Sequence, residues 1–304
     1  MRLDLALIGR HPELSRRKAR EVIEKGQVSV AGETVLDPGR AVPEGAEPRW
    51  DPNRRALPRA RITLPLLYRD DAVLVVDKPA GLLAVPAPAE PAADTALARV
   101  RDYVRHLTPR RPYVGIVHRI DRDTSGALAF ALTPLAREAL RALFREHRIE
   151  RRYAALVEGT PPDDSGLVDL PIHEEYAGGR RRVARGGEPS LPALTRWKVV
   201  ERFPRAALLE VELETGRQHQ IRVHLAHLGI PVLGDPVYLG SRTGRPPVAV
   251  ARQMLHAHLL AFVNPLTGAP VRVECPLPED FRRALGRLRD SPAGRETLGR
   301  RTPR

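Results

Sequence analysis

Nine residues concentrate the reactive side chains of this chain: His118-Arg119-Ile120-Asp121-Arg122-Asp123-Thr124-Ser125-Gly126. Two carboxylates, Asp121 and Asp123, sit two residues apart beside a Thr-Ser-Gly turn. The apolar run Ala127 to Leu132 follows and reads as a buried strand. A carboxylate held on such a frame is equipped to act as a nucleophile or as a general base. In an extended segment Asp121 and Asp123 would point to opposite sides. One would then face a pocket while the other caps the turn, and the residues alone do not choose between them. A solvated charged loop is the competing description. Five histidines cluster later in the chain: His219, His224, His227, His256 and His258. They lack the H-E-x-x-H spacing, and no acidic residue lies between Gly216 and Gly234 to complete a ligand set, so no metal is expected. No phosphate-binding or dinucleotide fingerprint is present, so no cofactor is expected either.

The elements around these residues follow from periodicity. Ala72 to Val76 is a β-branched run, hence a strand, and residues 87–94 are an Ala/Pro-rich stretch expected to be a mobile loop. A helix is predicted from Ala96 to Leu107 and a short strand from Val114 to Val117. Thr133-Pro134 is an N-cap followed by Pro at N1, opening a helix whose face carries Ala136, Leu140, Leu143, Phe144 and His147. Arg151 to Val157, Trp197 to Val200, Arg205 to Leu213, Leu255 to Leu259 and Val271 to Val273 read as strands. After Thr215 a helical phase puts Ile221, Leu225 and Leu228 on one face. Residues 177–190, rich in Gly and Arg, are expected to be a flexible loop that neutralises phosphates. Near the N-terminus, Ser15 caps a basic helix with Ala19, Val22 and Ile23 inward. Gly26 ends that helix, and Val28-Ser29-Val30, the Ala31-Gly32 turn and Thr34-Val35 form a hairpin. Many short strands with few helices predict an α+β fold, a mixed and mainly antiparallel sheet with flanking helices, preceded by a small α/β module. The expected division is 1–52 for the module, 53–64 for a Pro/Arg-rich linker, 65–285 for the catalytic domain and 286–304 for a basic tail.

Composition narrows the partners. The net charge is +13, and all but four of the 50 basic residues are arginine. An excess of that size points to a polyanion, most often nucleic acid. Aromatics make up only 4%, which argues against base stacking across a whole sheet. No apolar run reaches the roughly 20 residues of a membrane span, and Met1-Arg2-Leu3-Asp4 is no signal peptide. The single cysteine, Cys275, excludes disulfides within the chain. A monomer in the reducing cytoplasm is expected.

Three stretches together resemble the RluA-type pseudouridine synthases. His118 to Gly126 is similar to their H-R-L-D-x-x-T-S-G motif, and Asp77-Lys78-Pro79-Ala80-Gly81-Leu82 to K-P-x-G-L. Thr215 to His224, continuing to Gly234-Asp235-Pro236-Val237-Tyr238, is similar to T-G-R-x-H-Q-I-R-x-H…G-D-x-x-Y. Arg152 to Val157 and Leu255 to Leu260 resemble two further elements in the right order. Residues 1 to about 50 resemble the S4 RNA-binding module, with Ala31 where that module usually has Asn. The resemblance implies isomerisation of uridine to pseudouridine in RNA after the nucleotide is flipped out. It makes Asp121 the nucleophile, ahead of Asp123, and Arg222 its ion-pair partner, with Arg217 as runner-up or as a phosphate contact. Tyr153 would stack on the uracil, and its hydroxyl would assist proton removal from C5. Arg119 would fill the gap left by the base or hold a phosphate; a salt bridge to Asp123 is its alternative. Arg16, Arg17, Lys18, Arg20 and Lys25 would face RNA. Large-subunit (23S) ribosomal RNA is the expected substrate, with transfer RNA as the alternative. The rival classes are a non-catalytic RNA-binding protein on the same fold and a glycoside or nucleoside hydrolase using Asp121. The intact Asp121, Tyr153 and Arg222 set opposes the first, and the basic charge and the S4-like module oppose the second.

Overall fold

A computed structural model of the chain describes residues 1–35, 38–54, 63–107, 112–240 and 246–291. Most of the expected linker and most of the basic tail lie outside those residues. The chain divides into two compact units, one of residues 1–64 with 97–115, the other of 65–96 with 116–304.

The first unit opens with helix α1 (Leu3–Arg10), which the sequence reading did not foresee, and α2 (Arg16–Glu24). Ser15 Oγ accepts from the Lys18 N–H at 3.2 Å, the predicted cap of α2. Strand β1 (Val28–Val30) pairs with both β2 (Glu33–Thr34) and β3 (Pro48–Trp50), so the hairpin is extended by a third strand. Ala31 and Gly32 both take positive φ, 49° and 81°, as a two-residue hairpin turn requires. Leu3, Leu7, Ala19, Ile23 and Val28 are fully buried at the centre of this unit. Helix α3 (Ala96–Leu107) matches its predicted span, and residues 97–107 of it group with the N-terminal unit. That grouping departs from the expected continuous 65–285 domain.

The second unit is organised by one large sheet. Its strands are β4 (Leu66–Arg69), β5 (Val73–Lys78), β7 (Ser125–Ala131), β8 (Glu150–Glu158), β9 (Ser165–Asp169), β12 (Leu194–Phe203), β13 (Ala206–Leu213), β14 (Leu255–Val263) and β15 (Pro270–Glu274). The short strands β6 (Gly115–Ile116), β10 (Ile172–His173) and β11 (Ser190–Leu191) complete the count in chain order. The order is β4-β5-β7-β14-β8-β13-β12-β9, with β15 also paired to β14. Every pair along that path is antiparallel except β7 with β14. The fold is therefore mixed α/β with a mostly antiparallel sheet.

Helix α4 (Pro134–Arg145) is capped by Thr133 Oγ1, 3.0 Å from the Ala136 N–H, and buries Ala136, Leu140 and Leu143. Helix α5 (Gln220–His227) buries Ile221 and Leu225, but ends before Leu228, which is 42% exposed. Helix α6 (Glu279–Asp290) buries Phe281, Ala284, Leu285 and Leu288. The folded unit therefore continues past residue 285, where the tail was expected to begin. Residues 177–190 are not the expected loose loop. β10 and β11 pair across their ends, and Ile172 and Ala177 bridge to Val183 and Arg180.

Candidate active site

The site forms where one parallel strand pair interrupts the antiparallel sheet. His256 and Ala257 of β14 run beside Ser125 and Gly126 of β7. Gly126 has φ +114°, and a Cβ there would lie 2.3 Å from the Ala257 carbonyl oxygen. Only glycine fits so close an approach with that backbone. The register is reinforced by Ser125 Oγ, 2.9 Å from His256 Nδ1.

The loop before β7 turns tightly. The Thr124 N–H reaches the Asp121 carbonyl at 3.2 Å, so residues 121–124 form a turn, where an extended segment had been considered. The turn is held from outside. Gln253 Nε2 donates to Thr124 Oγ1 at 2.8 Å, and Arg252 Nη1 to the Asp123 carbonyl at 3.0 Å. Lys78, fully buried, donates to the carbonyls of Pro79 (2.9 Å), Leu82 (2.7 Å) and Arg122 (2.8 Å). One ammonium thus ties the Lys78 to Leu82 segment to the turn. Burial lowers its pKa to about 7, while Asp123 and Asp121 pull it upward.

The turn separates the two carboxylates. Asp121 lines a cavity of about 530 Å³, and Asp123 does not. Arg222 Nη1 donates to Asp121 Oδ2 at 3.0 Å. The same guanidinium grips Asp235 through Nε to Oδ2 (2.6 Å) and Nη2 to Oδ1 (2.9 Å). The Asp121 side chain is 20% exposed, Arg222 5% and Asp235 0%. Burial disfavours the Arg222 charge, but its bonds to Asp235 and the charges of both aspartates outweigh this and raise its pKa. Burial likewise opposes the Asp235 charge; Arg222 and the Val237 and Tyr238 N–H groups outweigh it and hold the carboxylate low. The Arg222 guanidinium also lies 5.1 Å from the Tyr238 ring centroid.

Tyr153, on β8 between Val211 and Ala257 of its neighbours, is buried and faces the same cavity. Burial raises its pKa; Arg151 opposes the rise and Asp121 adds to it. The phenol is therefore protonated at neutral pH. Arg151, two residues earlier on the same face, donates through Nη2 to the carbonyls of Leu213 (3.1 Å) and Glu214 (2.7 Å). Gly216 makes room for it, since a Cβ there would lie 2.6 Å from Arg151 Nη1.

The T-G-R-x-H-Q stretch is knit together by Gln220. Its Oε1 accepts from Thr215 Oγ1 (2.8 Å) and the Arg217 N–H (2.9 Å), and its Nε2 donates to Leu194 O and Thr195 Oγ1, both at 3.0 Å. His219 takes φ +59° ahead of α5 and sits 2.9 Å from the Tyr238 hydroxyl. That hydroxyl also accepts from the Arg181 N–H at 2.7 Å, so the arginine-rich arm is anchored at the cavity.

The sequence-derived residues fall into three groups. Asp121, Tyr153 and Arg222 converge on the cavity, and Arg119 and Arg217 line it. Arg217 donates through Nε to the Pro192 carbonyl at 3.0 Å and is not the partner of Asp121. Arg119 is exposed, and among the described residues no ion pair joins it to Asp123. In the N-terminal unit Arg17 and Arg20 are exposed and unpaired among the described residues. Arg16 lies 3.8 Å from Asp4, and Lys18 and Lys25 pair with Glu21 at 3.4 and 2.5 Å. The histidines serve packing: His224 spans Thr195 Oγ1 and Leu170 O, and His256 spans Ser125 Oγ and Cys275 O. Among the described residues no group of three or more His, Cys, Asp or Glu is placed to hold a metal. Asp235, Arg151, Lys78 and Gln220 were not singled out as site residues. Asp235, Lys78 and Gln220 did stand inside quoted motifs, which are the available signal.

Residues 72–227 match the RNA pseudouridylate synthase family, and residues 1–47 match the S4 domain. The chain belongs to the RNA pseudouridylate synthase family. A ribosomal large subunit pseudouridine synthase D of Xanthomonas campestris is 37% identical over 315 residues, covering 99% of this chain and 92% of that protein. Its namesake in Pseudomonas aeruginosa is 37% identical, covering 95% and 92%. The solved structure of human RNA pseudouridylate synthase domain containing 4 superposes with a TM-score of 0.62 at 25% identity, over 74% of this chain and 93% of that one. This pseudouridylate synthase is thus an isomerase with an S4 RNA-binding domain, and RNA is its substrate. Among the described residues no helix is long and apolar enough to cross a membrane.

Proposed function

We propose that Asp121 is the nucleophile of this RNA pseudouridine synthase and that large-subunit ribosomal RNA is its substrate. The observation that carries the first part is the Arg222 contact. A largely buried carboxylate is aimed into a cavity by a buried guanidinium, 3.0 Å away, whose other edge is clamped by Asp235. An anion so held is ready to attack, and it loses little freedom on doing so. The N1–C1′ bond of the flipped uridine breaks, the uracil rotates and C5 bonds to C1′. In this reading Tyr153 enters as a neutral phenol that stacks on the uracil, and its hydroxyl assists removal of the C5 proton. Arg119 and Arg217 contact RNA at the rim. No cofactor is required by this scheme.

The names of the relatives support ribosomal RNA over transfer RNA. In the S4 domain, residues 1–52, we assign RNA contact to Arg16, Arg17, Lys18, Arg20 and Lys25, with Arg17 and Arg20 the two not engaged with an acid. The catalytic domain is taken to start at residue 65. A monomer acting in the cytoplasm completes the reading.

The test is Asp121→Asn. Pseudouridine formation on large-subunit ribosomal RNA is expected to fall by more than about a thousandfold, with RNA affinity kept within about threefold. Wild-type turnover in that variant would refute the assignment.

A further inference from the structure

Several arginines elsewhere in the second unit are already paired with acids. Arg137 lies 3.6 Å from Glu138, Arg148 3.5 Å from Glu146, and Arg282 and Arg283 both reach Glu279, at 2.7 and 3.9 Å. Two arginines on α4 differ. Arg141 and Arg145 are exposed, line the cavity, and have no hydrogen-bond or ion-pair partner among the described residues. They are four residues apart, so like charges stand one above the other on the helix, an arrangement unfavourable in itself.

Phe144 fixes the direction in which this face looks. It shares the face with Arg141, three residues earlier, and it also lines the cavity. Its ring stacks on His118, 4.8 Å between centroids at 23°, and the Arg151 guanidinium sits 5.5 Å from its centroid. His118 in turn accepts from the Ala129 N–H at 2.9 Å. The helix face bearing the two arginines is therefore packed against the segment that carries Asp121. Asp121, the one acid that lines the cavity among the described residues, is already answered by Arg222. The α4 guanidiniums have no protein charge to neutralise.

From this geometry we infer that Arg141 and Arg145 clamp the RNA backbone, each holding a phosphodiester of the strand that flanks the flipped uridine. Planar guanidiniums bind phosphate bidentately, and exposed ones are desolvated at small cost. The inference rests on the cavity being the pocket of the reacting nucleotide. It adds the wall of α4 to the RNA path, on which the sequence reading placed Arg119 and Arg217 but nothing from α4.

The test uses the full-length protein and an unmodified large-subunit ribosomal RNA transcript. Turnover is read by pseudouridine-specific chemical labelling and affinity by a salt series. The double variant Arg141→Ala/Arg145→Ala is expected to raise KM at least fivefold, with kcat within twofold. It should also flatten the slope of log affinity against log salt by about 1.4, for two lost contacts to a single strand. Arg282→Ala/Arg283→Ala removes the same charge from α6 and should leave the slope unchanged. Arg141→Lys/Arg145→Lys should keep it. An unchanged KM and slope in the α4 variant, or an equal loss in the α6 variant, would overturn the clamp. Failure of the cavity reading looks different: Asp121→Asn would then turn over normally, whatever the arginines do.

Discussion

His118 shows how a histidine near the proposed nucleophile is kept neutral. Burial lowers its pKa to about 3, with Arg151 adding to the effect, and its Nε2 accepts the Ala129 N–H. A neutral ring is required there, since the protonated form has no lone pair to offer. The folded pKa is below the unfolded value near 6.5, so the unfolded chain binds the proton first as pH falls. The stability this residue contributes is complete above pH 6.5 and is lost as pH drops toward 3. Between pH 6.5 and 5 the loss is about 2 kcal/mol. His118→Gln keeps an acceptor and cannot titrate. Urea unfolding at the two pH values should show a smaller acid loss in the variant, and equal losses would contradict the account.

At the scale of elements, the β7–β14 junction is the constraint most exposed to a single atom. Gly126→Ala would push a methyl into the Ala257 backbone at a φ that side chains rarely adopt. The expected cost is about 3 kcal/mol or more. Thermal unfolding of the variant should fall by several degrees or expression should fail; a melting temperature within a degree of wild type would refute the close packing. Glycine in the Thr124-Ser125-Gly126 turn was legible in the sequence, but its crossing strand was not, because β14 lies some 130 residues later. The role of Asp235 was hidden although it lies only 13 residues from Arg222. A carboxylate at 235 acquires meaning only when α5 brings Arg222 against it. Predictions built on pattern fared well where one helix face is buried, as on α2 and α4, and for β5, an apolar run buried on both faces. They failed for α1, whose eight residues are too short to show a repeat, and for Leu228, which follows a helix that stops one residue earlier. Residues 177–190 look loose by composition, yet Arg181 and Arg182 find Tyr238 and Glu188 as partners.

For the molecule as a whole, a net charge of +13 is spread unevenly in use. Many arginines are matched to acids, so the excess acts through those that are not. In the S4 domain these include Arg17 and Arg20, exposed on α2 without a partner among the described residues. Arg17→Ala/Arg20→Ala should weaken RNA binding by about three- to tenfold at low salt, reduce the salt slope by more than 1, and leave kcat unchanged. An unaltered slope would remove α2 from the RNA path.

The two aspartates on Arg222 divide one charge between chemistry and architecture. If Asp121 becomes an ester, or is replaced by Asn, the buried guanidinium still has Asp235, and the interior stays neutral. With Asp121 as the proposed nucleophile, the site can lose that anion during turnover without stranding a cation. Asp235→Asn has no such refuge. It leaves Arg222 leaning on a carboxylate that faces the cavity, and breaking a buried pair in this way costs about 3 kcal/mol. Calorimetry should accordingly find Asp121→Asn as heat-stable as wild type and Asp235→Asn clearly weaker. The reverse order would mean that Asp121, not Asp235, is the scaffold.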